Sequence, residues 1–193
     1  MALDRRVLLG FGLTFGLSAR SAQAAKNASE GTAYAFSFDM AEGPPLALDD
    51  QAGRPMLIVN TASKCGFATQ LTSLETLWNE YGSRGLLVLG VPSGDFGDQE
   101  LANGENIKQF CALRFGVSFP LAAKTHVAGP NAHPFYRWAA RQRPGQTPSW
   151  NFHKYLIGRD GQIAAVFPTS VDPLDKRVVA ALEAILSSSP VGQ

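Results

Sequence analysis

The sequence predicts an α/β fold with a mixed central sheet flanked by helices, and three observations predict it. Residues 56–60 and 86–91 are short apolar runs, which are typical of strands buried on both faces. Residues 70–81 lie between them and carry apolar side chains at helical spacing. Asp160-Gly161 then separates two further apolar runs and is a strong hairpin signal. Strand–helix–strand implies a parallel pair with a right-handed crossover, and the hairpin makes the sheet mixed.

The remaining segments complete this order of elements. Residues 34–38 alternate apolar and polar side chains and predict an edge strand. Four further elements follow from periodicity and breaker residues: a short helix at 107–115, an extended segment at 117–121, a helix that starts at a proline at 134–141, and an amphipathic helix at 174–186. The hairpin strands are expected at 152–157 and 163–167. This order suits a thioredoxin-like fold, although the pattern alone also permits other α/β sandwiches.

Residues 1–24 predict a cleaved signal peptide. Arg5-Arg6 forms a basic start, residues 7–17 form an apolar run too short to span a bilayer, and Ala22-Gln23-Ala24 offers small residues at the usual cleavage spacing. The paired arginines resemble a twin-arginine export signal, with a plain secretory signal or an uncleaved anchor as alternatives. We therefore expect a periplasmic or otherwise exported protein, with a linker at residues 25–33 and one domain at residues 34–187.

Composition narrows the classes of function. Apolar residues make up 45% of the 193 residues, enough for a substantial core, while the net charge of +1 gives no case for nucleic acid. Cys65 and Cys111 lie 46 positions apart and the three histidines are scattered, so no metal-ligand spacing is present. We expect no metal and no other cofactor. In an oxidising compartment the two cysteines are also compatible with a structural disulfide.

Cys65 follows a predicted buried strand and precedes the predicted helix at residues 70–81. Unpaired backbone N–H groups and the helix dipole favour negative charge at such a position, and Lys64 adds a cation. These surroundings lower the pKa of a thiol and make it a better nucleophile. Position alone leaves a reactive and an inert cysteine about equally open.

The wider sequence around Cys65 resembles the glutathione peroxidase family. Residues 59–67 resemble the active-site loop of that family, which holds selenocysteine or cysteine where Cys65 stands. Three further blocks follow in the family's order: residues 91–100, Phe119-Pro120 with Lys124, and residues 150–157. The resemblance covers roughly residues 34–186. It implies a thioredoxin-like thiol peroxidase that reduces hydrogen peroxide and organic hydroperoxides.

The resemblance also implies roles for individual residues. Cys65 is the expected peroxidatic cysteine, and Gln99, Trp150 and Asn151 match the family's hydrogen-bond donors. Amide and indole N–H groups donate without being acids, so they can hold a thiolate and polarise the O–O bond. The expected product is a cysteine sulfenic acid.

Cys111 matches the resolving cysteine of the family's two-cysteine members. This match implies a Cys65–Cys111 disulfide that a thioredoxin-like protein or glutathione reduces, while a buried helix cysteine without this role is the alternative. Many relatives carry another cysteine where Ser93 stands, so Cys111 is the only intramolecular partner left. The short segment between Trp138 and Trp150 resembles members that lack the tetramer loop, which favours a monomer.

Three other functions fit the sequence less well. A dithiol oxidoreductase of the same fold needs C-x-x-C, but Gly66-Phe67-Ala68 follows Cys65. A non-enzymatic metal carrier needs two close cysteines and a histidine, and the spacing here is wrong. A purely structural disulfide domain leaves the block at residues 150–157 unexplained.

Overall fold

The computed structural model describes residues 31–188. The predicted signal peptide (1–24) and residues 25–30 of the predicted linker lie outside the described residues. The strands are β1 (Ser37–Phe38), β2 (Leu46–Ala47), β3 (Met56–Thr61), β4 (Leu87–Pro92), β5 (Lys154–Ile157) and β6 (Ile163–Phe167). The α-helices are α1 (Gln70–Tyr81), α2 (Gly104–Phe115), α3 (Pro134–Gln142) and α4 (Lys176–Ser187).

The four longer strands form one mixed sheet in the order β4-β3-β5-β6. Strands β3 and β4 are parallel, with Met56 opposite Leu87 and Thr61 opposite Pro92. Strand β5 runs antiparallel to β6, as the Asp160-Gly161 hairpin signal predicted, and it also runs antiparallel to β3. Strands β1 and β2 form a separate small antiparallel pair. The mixed sheet with flanking helices confirms the predicted fold class.

Each face of the sheet packs against its own core. All six residues of β3 are buried, and successive side chains point to opposite faces, as the pleat of a strand requires. Leu57 and Val59 belong to a cluster that includes residues of α1, α2 and α4. Met56 and Ile58 belong to the other cluster, with Phe135 and neighbouring aromatic side chains of α3. The continuous apolar run in the sequence therefore reflects burial on both faces.

The first predicted strand is much shorter than expected. Only Ser37–Phe38 pairs as β1, because residues Ala33–Ala35 form a 3₁₀ turn in which the Thr32 side chain accepts a hydrogen bond from the Tyr34 amide. Thr32 and Ala33 were assigned to the linker, yet both are buried, and the Ala33 amide donates to the Gly161 carbonyl at 2.8 Å. The packed chain therefore starts before residue 34.

Three further elements begin at other residues than the sequence predicted. Helix α2 begins three residues earlier than predicted, at Gly104, because the Asn103 side chain caps it by accepting from the Asn106 amide at 2.8 Å. Helix α4 begins two residues later than predicted, behind an Asp175 cap. Strand β5 begins at Lys154 rather than at residue 152, because Phe152 has a φ of 64°, outside the strand region.

The predicted extended segment at 117–121 is not a strand, but it lies against β4. Gly90 accepts from the Ala122 amide and donates to the Pro120 carbonyl, at 2.8 and 3.0 Å. A Cβ atom at Gly90 would lie 2.6 Å from Leu121 Cδ2, so glycine is needed for this close approach. The Phe119-Pro120 block therefore contributes to packing.

In residues 31–188, no helix is long and apolar enough to cross a membrane. The same part of the chain holds no group of three or more His, Cys, Asp or Glu side chains that could bind a metal ion.

Candidate functional site

Three loops meet at one edge of the sheet. The parallel strands β3 and β4 end there, at Thr61 and Pro92, and β5 begins there because it runs antiparallel to β3. The Cys65 loop, the loop that holds Gln99 and the segment with Trp150 and Asn151 are therefore neighbours. The carboxyl ends of parallel strands are the usual position of ligand sites in α/β sheets.

Cys65 lies in a turn between β3 and α1. Its amide donates to the Ala62 carbonyl at 3.3 Å, and its carbonyl accepts from the Ala68 amide at 2.9 Å. Helix α1 begins only at Gln70, so Cys65 lies outside the first helical turn, where the helix dipole acts. The sequence-based argument from unpaired N–H groups at a helix start is therefore wrong in this detail. Cys65 is 6% exposed.

A cavity of about 430 Å³ opens beside Cys65. One side is the Cys65 loop, and the other is a face of α2. The lining residues from α2 are Phe110, Arg114 and Phe115. Arg114 and the exposed Lys64 are the cations of this lining, and the Arg114 guanidinium makes no hydrogen bond or ion pair within residues 31–188. The cavity thus combines an apolar wall, an available guanidinium and a thiol.

The structure brings Gln99, Trp150 and Asn151 together. Asn151 Nδ2 donates to Gln99 Oε1 at 3.1 Å. The Trp150 ring lies 6.0 Å from the Phe96 ring, centroid to centroid. Asn151 is fully buried, whereas Trp150 is 38% exposed. Donors from two distant parts of the sequence therefore share one site.

This donor cluster is tied to the Cys65 loop through the backbone. The Lys64 amide donates to the Gln99 carbonyl at 2.8 Å. Across the part of the chain that the structure describes, no hydrogen bond joins Cys65 Sγ to Gln99, Trp150 or Asn151. In this state the Asn151 amide nitrogen donates to Gln99, and the Asn151 Oδ1 atom is buried without a hydrogen-bond partner among residues 31–188. The donors are adjacent to the thiol loop but are not bonded to the sulfur.

Asn60 positions the segment that carries Trp150 and Asn151. Its Nδ2 donates to the Trp150 carbonyl at 3.1 Å, and its Oδ1 accepts from the His153 amide at 3.0 Å. The Asn60 carbonyl also accepts from the Phe152 amide at 2.6 Å. The sequence analysis gave Asn60 no role. The sequence feature that could have indicated a role for Asn60 is its polar side chain at the end of an otherwise apolar strand.

Lys154 holds the same segment through a hydrogen bond to a backbone carbonyl. It is completely buried, and its Nζ donates to the Phe152 carbonyl at 2.6 Å. Burial lowers the pKa of Lys154 to about 7, and the charge of Asp172 opposes this shift. Phe152, in its left-handed conformation, links Asn151 to this lysine. Hydrogen bonds to the carbonyls of Trp150 and Phe152 therefore fix the backbone on both sides of Asn151, whose side chain donates to Gln99.

Cys111 lies in the middle of α2 and is 3% exposed. Burial raises the pKa of Cys111 to about 12; the nearby Glu100 charge adds to the shift, and the Ser63 side chain opposes it. Both cysteines are free thiols in this structure and both belong to the core cluster shared by α1, α2 and α4. Cys111 is therefore a protonated thiol close to the residues that precede Cys65.

Glu100 and Ser63 are further residues to which the sequence analysis gave no role. Glu100 is 4% exposed, and its Oε1 accepts from the Ser63 amide at 3.1 Å and from the Leu101 amide at 2.7 Å. Burial raises the pKa of this carboxyl, and the hydrogen bonds oppose the shift. The sequence feature that could have indicated a role for Glu100 is its position next to Gln99 in the block at residues 91–100.

Known proteins provide an independent comparison. The family model "Glutathione peroxidase" matches residues 33–140. Hydroperoxy fatty acid reductase gpx1 of Synechocystis sp. is 40% identical over 164 residues, covering 80% of this chain and 96% of that protein. A glutathione peroxidase of Lactococcus lactis subsp. cremoris is 38% identical over 143 residues, covering 72% of this chain and 91% of that protein.

Solved structures agree with this comparison. The crystal structure of T. cruzi GPX1 matches with a TM-score of 0.64 and 29% identity, covering 81% of this chain and 97% of that one. A thiol:disulfide interchange protein of the thioredoxin family from Chlorobium tepidum TLS matches with a TM-score of 0.59 at 17% identity, covering 79% and 93%. That second likeness shows the thioredoxin-like fold alone. The family match and the two curated relatives together show that the chain belongs to the glutathione peroxidase family and is a thiol peroxidase that reduces hydroperoxides.

Proposed function

We propose that Cys65 is the peroxidatic nucleophile of this peroxidase. Its thiolate attacks one oxygen of a hydroperoxide, the O–O bond breaks, and the other oxygen leaves as hydroxide or alkoxide and takes up a proton. Cys65 becomes a sulfenic acid. The observation that carries the proposal is the cavity that opens on Cys65, in a loop whose Lys64 amide donates to the carbonyl of Gln99.

The donors have a defined part in this step. Because Gln99 Oε1 accepts from Asn151, the Gln99 amide nitrogen is directed away from that bond and can donate to the leaving oxygen. The indole N–H of the partly exposed Trp150 can donate in the same way. Donors that are held in place before the reaction stabilise the developing negative charge at no cost of reorganisation.

Cys111 resolves the sulfenic acid in our proposal. Its helix forms one wall of the Cys65 cavity, which supports a short path between the two sulfurs. A disulfide requires Cα atoms within about 7 Å. Cys111 is held in the core by α2, so closing the bond requires this helix to open locally, as a short helix can without unfolding the domain.

The substrate class we propose includes fatty-acid hydroperoxides. The Cys65 cavity shares Phe110, Arg114 and Phe115 with a larger groove of about 1010 Å³ along α2. Leu113 borders this groove and is 80% exposed. An acyl chain can lie against these apolar side chains, and two related proteins of Synechocystis sp. are named hydroperoxy fatty acid reductases.

A thioredoxin-like protein or glutathione supplies the electrons. Steady-state peroxide turnover with both donors in competition identifies the reductant, and mass spectrometry after one equivalent of peroxide detects the Cys65–Cys111 bridge. We expect the bridge in the wild type and faster turnover with the thioredoxin-like donor. If no bridge forms and turnover survives in Cys111→Ser, a one-cysteine cycle recycled by an external thiol replaces this proposal.

Export and a monomeric state complete the proposal. The Arg5-Arg6 pair and the Ala22-Gln23-Ala24 site support cleavage near Ala25 and a periplasmic or otherwise exported protein. N-terminal sequencing of protein from its native host tests this, and an intact Met1 or Ala2 start would contradict it. The short connection after α3, which ends at Gln142, supports a monomer, and light scattering of the purified protein measures this directly.

A further inference from the structure

The Arg114 side chain is a positive charge without a partner beside the Cys65 cavity. Arg114 lies in the last turn of α2, it is exposed, and its guanidinium makes no hydrogen bond or ion pair within residues 31–188. The planar fork of N–H groups on a guanidinium matches the two oxygens of a carboxylate. Arg84 is used in this way, since it donates to both carboxylate oxygens of Glu183 at 2.7 and 2.6 Å. The Arg114 fork is available to a ligand from outside the chain.

Arg114 belongs to two cavities at once. It lines the cavity of about 430 Å³ that opens on Cys65 and the groove of about 1010 Å³ along α2. Lys64 is the other cation of the Cys65 cavity. Among residues 31–188, the linings of the two spaces include no Asp or Glu. An anion that enters either space therefore meets positive charge that no lining carboxylate opposes.

The groove beside Arg114 has an apolar wall. Phe110, Leu113 and Arg114 share one face of α2, because residues three and four positions apart are neighbours on a helix. The rings of Phe110 and Phe115 meet edge to face, with their centroids 5.9 Å apart. Both rings are only partly buried against the core, and Leu113 is 80% exposed. The groove therefore combines an exposed apolar surface with an unpaired cation.

We propose that Arg114 binds the carboxylate of a fatty-acid hydroperoxide while the acyl chain lies against this apolar wall and the peroxide group enters the Cys65 cavity. This inference rests on the proposed function, in which fatty-acid hydroperoxides are substrates of Cys65. A free fatty acid is ionised near neutral pH and carries its charge and its peroxide group at different points of one apolar chain. Arg114 is thus the residue that makes the enzyme prefer free fatty-acid hydroperoxides to their uncharged esters.

This binding site exists in the reduced protein. Both cysteines are free thiols in this structure, and α2 is intact as far as Phe115. Attack on the peroxide is the first step of the proposed cycle, so the substrate binds before any opening of α2 that the disulfide step requires. The specificity that Arg114 provides is therefore set in the peroxide step and does not depend on how the sulfenic acid is resolved.

A comparison of linoleic acid hydroperoxide with its methyl ester tests the proposal. Stopped-flow measurement of Cys65 oxidation gives the second-order rate for each compound, at concentrations below those at which micelles form and without any reductant. Both compounds react with the same thiolate and differ by one charge. The ratio of the free-acid rate to the ester rate therefore reports recognition of the carboxylate and cancels general effects on the thiol.

Three variants define the expected result. Arg114→Gln should lower this ratio by about fivefold, the contribution of an ion pair in a solvent-accessible site. Arg114→Glu should lower it further, because its carboxylate repels that of the substrate. Arg141→Gln is the matched control, since Arg141 is also exposed but lies on α3, which packs on the other face of the sheet. This control should keep the wild-type ratio.

Several outcomes would overturn the inference. An unchanged ratio in Arg114→Gln would do so, and so would an equal fall in Arg141→Gln, which indicates a nonspecific effect of net charge. An unchanged ratio together with slower reduction of oxidised Arg114→Gln by a thioredoxin-like donor would assign the groove to the reductant. Failure of the proposed function looks different: either no hydroperoxide oxidises Cys65 in the wild type, or tert-butyl hydroperoxide does so while the free acid and the ester both fail.

Discussion

The two cysteines of this chain have similar burial but opposite settings. Cys65 is 6% exposed and lies in a turn that lines an open cavity. Cys111 is 3% exposed and lies within a helix, among apolar side chains and near the Glu100 carboxylate. Exposure alone does not distinguish them. The difference lies in what each sulfur faces: a cavity that a small peroxide can enter, or the core.

In the proposed cycle, this difference gives the peroxide step at Cys65 and the disulfide step with Cys111 different requirements. Cys65 lines a cavity in the folded protein, so the proposed first step needs no change in the fold and uses donors that are already in place. Cys111 starts in the core within α2, so its proposed bond to Cys65 depends on local opening of that helix. The proposed first step thus depends on preorganisation and the proposed second step on local opening.

Loss of the Cys65 thiol should have the largest effect. Cys65→Ser replaces the thiol with a hydroxyl that is not ionised near neutral pH, so we expect peroxide consumption to fall to background. A colorimetric hydroperoxide assay measures it. Cys111→Ser is the matched control and should still consume one equivalent, after which Cys65 stays as sulfenic acid and over-oxidises. Peroxide turnover in Cys65→Ser would assign the nucleophile elsewhere.

Alkylation should separate the two thiols in the folded protein. With a pKa of about 12, Cys111 has a thiolate fraction of about 10⁻⁴ at pH 8, and the core also shields it. Iodoacetamide should therefore modify Cys65 first, which peptide mass spectrometry resolves. In concentrated urea both cysteines should react at similar rates. Equal alkylation rates of Cys65 and Cys111 in the native protein would contradict this difference in their surroundings.

The donor cluster should affect the first step more than the second. Asn151→Ala and Gln99→Ala each remove one preorganised donor, so the second-order rate with peroxide should fall by about 10²–10³. Stopped-flow measurement of Cys65 oxidation tests this. Asn131→Ala removes an exposed amide from the loop before α3 and should have no effect. Wild-type rates in both donor variants would take these residues out of the site.

The smallest effect concerns Lys154, where the same burial argument applies to a base. Its pKa is about 7 in the folded protein and about 10.4 when unfolded, so the unfolded chain binds more protons between these values. This group therefore makes the free energy of unfolding rise with pH from about 7 to about 10. Urea unfolding at pH 7, 8 and 9 should show this rise in the wild type relative to Lys154→Met. Parallel curves for the two proteins would show that Lys154 keeps its ordinary pKa when folded.

The sequence by itself determined the order of elements and the identity of the reactive block. Helix α1 has the bounds that its apolar spacing predicted, and β6 has the bounds of its apolar run, because burial of a stripe or a run is encoded locally. The four sequence blocks were sufficient to place the chain in a peroxidase family, which the comparisons confirm. Caps such as Asn103 shifted helix starts by a turn or less.

Only the tertiary structure decided which residues act on which. Asn60 and Trp150 are 90 residues apart, yet they are hydrogen-bonded because β3 and β5 are neighbours in the sheet. The hydrogen bond from the Ser63 amide to Glu100 Oε1 also depends on how two loops pack at one edge of the sheet. Periodicity reports which face of an element is buried, but it contains no information on what that face meets. Long-range hydrogen bonds and the pKa values that depend on them therefore appear only when the chain is folded.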